Sequence, residues 1–196
     1  MRTLAIDTSS EACSVALFDG DQLVDAAHRE IGRGHAEQLV PMIAALEDGG
    51  RAARIMVGCG PGSFTGVRVG IAAARALALG WQAEVCGFNS LALVAAAAGG
   101  DALVVMDGGH GEWLIQPFGA DGTPRADHIS LAPDQAEQCF AGVIIGNRAV
   151  AFAERYGGAP MAALPDARNA LRIAAGQANW LPRPVYARAP DARVSA

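Results

Sequence analysis

Three strand-length apolar runs open the chain, and the way they are separated leaves few folds available. The run from Thr3 ends in Asp7-Thr8-Ser9-Ser10, a second covers Cys13-Ser14-Val15-Ala16-Leu17-Phe18, and a third spans Gln22 to Arg29. Asp19-Gly20-Asp21 stands between the second and third. Asp-Gly between two apolar runs is the strongest short-range hairpin signal. The chain is therefore predicted to begin as a three-stranded antiparallel unit. Next, Leu39, Met42, Ile43 and Leu46 recur at spacings of three and four, which predicts a helix from His35 to Glu47 with one apolar stripe. Gly49-Gly50 is expected to end it.

Arg54 to Cys59 reads as a buried strand and runs into the turn Gly60-Pro61-Gly62-Ser63-Phe64-Thr65-Gly66. A helix from Val67 to Leu79 closed by Gly80, a strand Glu84 to Gly87, and a helix Ser90 to Ala98 capped by Asn89 or Ser90 complete this half. Gly99-Gly100 marks the boundary. The order β-β-β-α-β-α is that of a ribonuclease H-like domain, the unit duplicated in actin, sugar kinases and Hsp70 chaperones. The likeness concerns fold and leaves function open. The second half begins alike, with Ala102 to Met106 ending in Asp107 as the first strand ends in Asp7. A strand Glu112 to Phe118, a turn Ala120 to Pro124, a helix around Pro133 to Phe140, a strand Val143 to Ile145, and helices near Val150 to Arg155 and Ala167 to Asn179 follow. The expected class is α/β, with two ribonuclease H-like, actin-like ATPase domains in tandem at 1–99 and 100–196. The second is the smaller and less regular.

Composition removes several chemistries. All 15 basic residues are arginine, so a Walker-A lysine, a Schiff-base lysine and a kinase-type phosphate lysine are absent. A net charge of -5 with scattered arginines argues against a basic nucleic-acid groove on this chain alone. Cys13, Cys59, Cys86 and Cys139 show no CxxC spacing and read as buried thiols rather than zinc ligands. The opening apolar run is too short for a signal peptide and the longer ones are interrupted, so no membrane span and a cytosolic location are expected.

Two local readings stay open for each polar motif. Asp7-Thr8-Ser9 sits where actin-like folds place a phosphate-contacting hairpin, with a carboxylate holding metal-bound water. Alternatively, Asp7 and Thr8 end a strand and hydrogen-bond the next turn. Its counterpart in the second half, Asp107-Gly108-Gly109-His110-Gly111, is a poor phosphate loop. The Gly60–Gly66 loop departs from a nucleophile elbow and from a dinucleotide fingerprint. It serves either as a structural loop beside a binding surface, with Ser63 or Thr65 capping the next helix, or as an anion site at that helix's N-terminus. Gly62 and Gly66 are expected to supply positive φ or close approach.

Three segments resemble the TsaB family of tRNA threonylcarbamoyladenosine biosynthesis subunits. They are Leu4-Ala5-Ile6-Asp7-Thr8-Ser9 with Cys13-Ser14-Val15-Ala16, then His35-Ala36-Glu37-Gln38-Leu39 with Pro41, then Gly60 to Gly66 followed by Val67-Arg68-Val69-Gly70. The closing Val185-Tyr186-Ala187-Arg188-Ala189-Pro190-Asp191-Ala192 resembles the family's C-terminus. The family's catalytic paralogue, TsaD, holds a metal with H-x-x-x-H, but here Leu39 stands four residues after His35, so no metal site is expected. After Asp107, glycines stand where the family usually carries an arginine. The resemblance implies a scaffold with no catalytic residues and no cofactor. It would act with TsaD, which transfers threonylcarbamoyl to N6 of adenosine 37 in ANN-reading tRNAs, and with the small ATPase TsaE. It would meet tRNA only through the complex and form a homodimer in isolation. The surface expected to meet TsaD comprises Leu39, Met42, Ile43, Leu46, Val69, Arg75 and Leu79 on the two helices of the first domain. A nucleotide-binding actin-like ATPase or kinase is the alternative, and a metallopeptidase a more distant one.

Overall fold

The computed structural model describes residues 1–136 and 140–187; Cys139 and the 188–192 part of the closing motif lie outside the described residues. Two mixed five-stranded sheets form the scaffold of an α/β fold. The first contains β1 (Arg2–Asp7), β2 (Ala12–Asp19), β3 (Gln22–Glu30), β4 (Arg54–Gly58) and β5 (Glu84–Phe88), in the order β3-β2-β1-β4-β5. The second contains β6 (Ala102–Gly109), β7 (Glu112–Phe118), β8 (Ile129–Leu131), β9 (Val143–Ile145) and β10 (Ala159–Met161), in the order β10-β9-β6-β7-β8. Each first strand pairs antiparallel with the second and parallel with the fourth, so the two sheets share one connectivity.

Strand alternation assigns every face. Leu4 and Ile6 of β1 and Val15 and Leu17 of β2 point to a core under α1 (His35–Ala44) and α2 (Phe64–Trp81). Ala5, Ala16 and Phe18 point to the opposite face, against Phe88, Ala167 and Ala170. The period of two thus places both sets without conflict. The second sheet buries Leu103, Val105 and Trp113 against Phe152 of α4 (Ala149–Tyr156) and Val104, Met106 and Leu114 against α3 (Ser90–Ala95). Helix α3 lies between the sheets, with Leu91 and Val94 on the second core and Leu93 on the first-sheet core. A helix buried on all sides needs no polar face, which accounts for Ser90-Leu91-Ala92-Leu93-Val94-Ala95.

Several boundaries differ from expectation. Helix α1 stops at Ala44 rather than Glu47, because Leu46 turns extended to enter the core and a 3-10 turn, Glu47–Gly50, follows. Helix α2 begins at Phe64, since Ser63 Oγ accepts from Gly66 N, and it ends on left-handed Gln82 rather than at Gly80. Helix α3 is shorter than expected, capped by Asn89 accepting from Leu91 N and Ala92 N. The helix expected from Ala167 to Asn179 is replaced by two 3-10 turns, Ala167–Arg172 and Ala175–Gln177. Asp166 caps the first, and the chain then extends to reach β5, where Gly87 and Trp180 form an isolated bridge. Around Pro133 the described residues form a turn rather than a helix. Among the described residues, no helix is long and apolar enough to cross a membrane.

Candidate functional site

Asp7 ends β1 beneath the first turn, and its carboxylate is fully enclosed. Oδ1 accepts from Ser9 N at 2.9 Å and from Ser9 Oγ at 2.7 Å, and Oδ2 accepts from Ser90 Oγ at 2.8 Å. Ser90 Oγ also accepts from Gly60 N at 3.1 Å, and Thr8 Oγ1 donates to Gly66 O at 2.7 Å. The three polar side chains of Asp7-Thr8-Ser9 therefore point into the fold. The reading in which they end a strand and bond the next turn is the one the geometry matches.

The glycine signature is the other half of this arrangement. A Cβ on Gly58 would stand 2.0 Å from Asp7 Oδ2, on Gly62 2.3 Å from Ser9 O, on Gly66 2.0 Å from Thr8 O, and on Gly70 2.5 Å from Thr8 Oγ1. Neither Gly62 nor Gly66 has positive φ, so close approach alone demands glycine there. Gly60, with φ of 88°, does occupy the left-handed region, just before the cis bond to Pro61. Of the two candidate caps, Ser63 is the one used.

Burial pushes the Asp7 carboxyl up against the opposing pull of the Ser9 and Ser90 hydrogen bonds. A proton is therefore bound more tightly in the folded than in the unfolded chain. The stabilisation from that proton is fully present below the unfolded carboxylate range and is lost as pH rises through the folded value. Asp7→Asn removes this loss while Ser90 Oγ can still accept from the new amide. Its melting temperature relative to the parent should rise between acid and neutral pH. A relative fall over the same interval would contradict the assignment.

A cleft of about 880 Å³ separates the β1–β2 turn from the β6–β7 turn and brings together Ser9, Ser10, Phe64, Asp107, His110 and Asn147. The two aspartate turns expected from the sequence thus do face one space. Burial raises the Asp107 carboxyl, but its pairing with Arg148 and the Gly109 N–H bond outweigh this and hold it below the usual range. Asn147 Oδ1 accepts from Asp107 N at 2.8 Å while its Nδ2 donates to both Glu11 oxygens at 2.8 and 3.0 Å, linking the two sides. Sequence reasoning missed Glu11, Asn147 and Arg148. Glu11 and Asp107 stand at the walls beside Arg33 and His110, and the Thr8 and Ser9 hydroxyls are turned inward, so neither hydroxyl is offered to a phosphate in the cleft.

His35 is buried, with Nε2 3.2 Å from Ala12 O. Among the described residues, no group of three His, Cys, Asp or Glu side chains is placed to hold a metal ion.

The helix stripe requires a correction. Leu39 is 1% exposed, and Met42, Ile43 and Leu46 lie with it in the core beneath the helices. These four cannot meet another chain, because a single apolar stripe is what the sheet itself requires. Val69 is half-buried, Arg75 is exposed with Nη2 donating to Pro182 O at 2.7 Å, and Leu79 is 85% exposed. The outward face of α1 presents Ala36, Glu37, Val40, Pro41 and Ala44, and that of α2 presents Arg68, Ala72, Arg75, Ala76 and Leu79. The two helices pack against each other, so these rows make one surface.

Comparison with known proteins gives the lineage. The model of the family described as "TsaD: tRNA N6-adenosine threonylcarbamoyltransferase" matches residues 27–141. The tRNA threonylcarbamoyladenosine biosynthesis protein TsaB of Escherichia coli is 43% identical over 103 residues, 50% of this chain and 44% of that protein. The structure of YeaZ from Pseudomonas aeruginosa superposes with a TM-score of 0.76 at 28% identity, covering 95% of this chain and 100% of that one. The chain belongs to the TsaB family. An uncharacterized protein of Mycobacterium tuberculosis is 33% identical over 97% of this chain and 93% of its own length. By contrast, this TsaB-family chain spans about half the length of the named TsaB relatives it matches. The ethanolamine utilization protein EutJ, at 11% identity and a TM-score of 0.52, shares the fold alone.

Proposed function

We propose that the chain is a non-catalytic partner subunit in tRNA threonylcarbamoyladenosine synthesis. It docks on TsaD through the outward faces of α1 and α2 and acts with TsaE in threonylcarbamoyl transfer to N6 of adenosine 37. The observation that carries this reading is the large apolar side chains on the outer surface of the two helices, with Val40 51% and Leu79 85% exposed. Such a surface is better covered by another chain than by water. A pair of helices from each side is the economical cover, and a second copy of this chain offers the same pair, hence a homodimer in the absence of TsaD. Contact with tRNA then runs through the complex, in the cytosol. In this reading, residues 1–99 and 100–196 are tandem ribonuclease H-like halves of actin-like type, the second reduced, and Asp7-Thr8-Ser9 is a phosphate hairpin converted to structural use. Co-expression with the TsaD of the same organism tests it. A stable complex is expected, and failure to co-purify would remove the basis of the proposal.

The meeting of two aspartate turns at one cleft favours a second reading, an actin-like ATPase or kinase. Calorimetry with magnesium ATP separates the two. Because Thr8 and Ser9 spend their hydroxyls on Gly66 and Asp7, no tight magnesium-dependent binding is expected. A tight, saturable titration would favour the enzyme.

A further inference from the structure

Beyond the 3-10 turn Ala175–Gln177, the last described residues run without helix or strand along β5, the edge strand of the first sheet, and beside α2. Gly87 and Trp180 exchange main-chain hydrogen bonds of 2.8 and 2.9 Å, Asn89 N donates to Gln177 O at 2.9 Å, and Val185 N donates to Cys59 O at 2.7 Å. Further contacts reach the helix itself. Arg75 Nη2 donates to Pro182 O at 2.7 Å, the Tyr186 ring lies 5.4 Å from Phe64, and the Arg68 guanidinium lies 3.4 Å from the Phe64 ring and 5.2 Å from that of Tyr186. Trp180 and Val185 also pack against the core of the first sheet, Asn89 Nδ2 donates to Gln177 Oε1 at 2.9 Å, and Leu181 between them is 70% exposed.

We infer that residues 177–187 form a strap whose attachment sets the affinity of the α2 face for its partner, with Arg75 as the positioning residue that couples the two. The inference rests on the docking surface proposed above. Along the outward row Arg68, Ala72, Arg75, Ala76 and Leu79, Arg68 lies over the Phe64 ring while Arg75 donates to the strap. A partner laid over this row strips water from the Arg75 guanidinium. With the strap attached, the Pro182 carbonyl still satisfies one of its N–H groups. With the strap detached, the covered charge has lost that partner, and an uncompensated buried charge is strongly disfavoured. The partner therefore binds the strapped form better. By linkage, it must protect the strap from local opening by the same factor.

Amide exchange in the full, unsubstituted chain reads this coupling directly. Saturating TsaD should slow exchange at Trp180 and Val185 by about fivefold or more, within the usual range of coupling between sites. A double-mutant cycle supplies the second readout. Val185→Pro removes the N–H that bonds Cys59 O, and it should weaken TsaD binding about fivefold or more when Arg75 is present. In an Arg75→Met background the same change should alter affinity by less than about twofold. Unchanged exchange at Trp180 and Val185 on TsaD binding, or an equal loss in both backgrounds, overturns the strap. Absence of TsaD binding to the parent chain is a separate failure, that of the docking reading itself.

Discussion

Gly66→Val should lower the melting temperature by about 10 °C, the largest stability loss expected from any single change outside the cores. The new Cβ would lie 2.0 Å from the Thr8 carbonyl oxygen, a main-chain atom fixed by the β1–β2 turn. Relief requires that α2 and the turn separate, which also stretches the 2.7 Å bond from Thr8 Oγ1 to Gly66 O. Overpacking against backbone costs about 3 kcal/mol. For a chain of this size, that amount corresponds to a shift of roughly 6–12 °C. Gly80→Ala is the internal control. It lies on the same helix, its Cβ would meet nothing within 4 Å, and alanine favours helix by up to about 1 kcal/mol. A melting scan should show a loss for the first and none for the second. Equal behaviour would mean that the signature glycines are not required by close approach.

The second large effect concerns association. Val40→Glu combined with Leu79→Arg should reduce TsaD binding by more than about a hundredfold while leaving the monomer's melting point within about 2 °C. Both side chains are exposed in the free chain, where such substitutions usually change stability by less than about 0.5 kcal/mol. Both replacements are also good helix formers. In a closed interface, each charge would be desolvated without a partner, which costs several kcal/mol. Leu39→Glu would not serve the same purpose. It places the charge among Leu4, Ile43 and Val67 and unfolds the domain, so its loss of binding says nothing about the surface.

Much of the first half was legible because its rules are local. The Asp19-Gly20 hairpin, the period-two alternation of β1 and β2, and the Ser63 cap each depend on a few adjacent residues. The demand for glycine at 62 and 66 was legible too, with close approach as one of its two expected causes, though not the atoms approached. Close approach to Thr8 and Ser9 depends on residues more than fifty positions away. Separation along the chain likewise hid Arg148, which pairs with Asp107 across 41 residues, and Asn147, which bonds Glu11 across 136. Strands β8 and β10 have three residues each, too few to show any period. Four residues expected at a partner surface proved to be core for a different reason. Leu39, Met42, Ile43 and Leu46 make the strongest stripe on α1, and the strongest stripe belongs to the core. The outer face mixes alanines with Glu37, Arg68 and Arg75, so its few apolar members Val40, Pro41 and Leu79 make no stripe of their own.

Sedimentation velocity of the purified chain mixed with the TsaD of the same organism tests the central claim most directly. A heterodimer that forms with the parent chain and is lost with Val40→Glu and Leu79→Arg is the predicted result. A complex that survives both charges, or none with the parent chain, contradicts it.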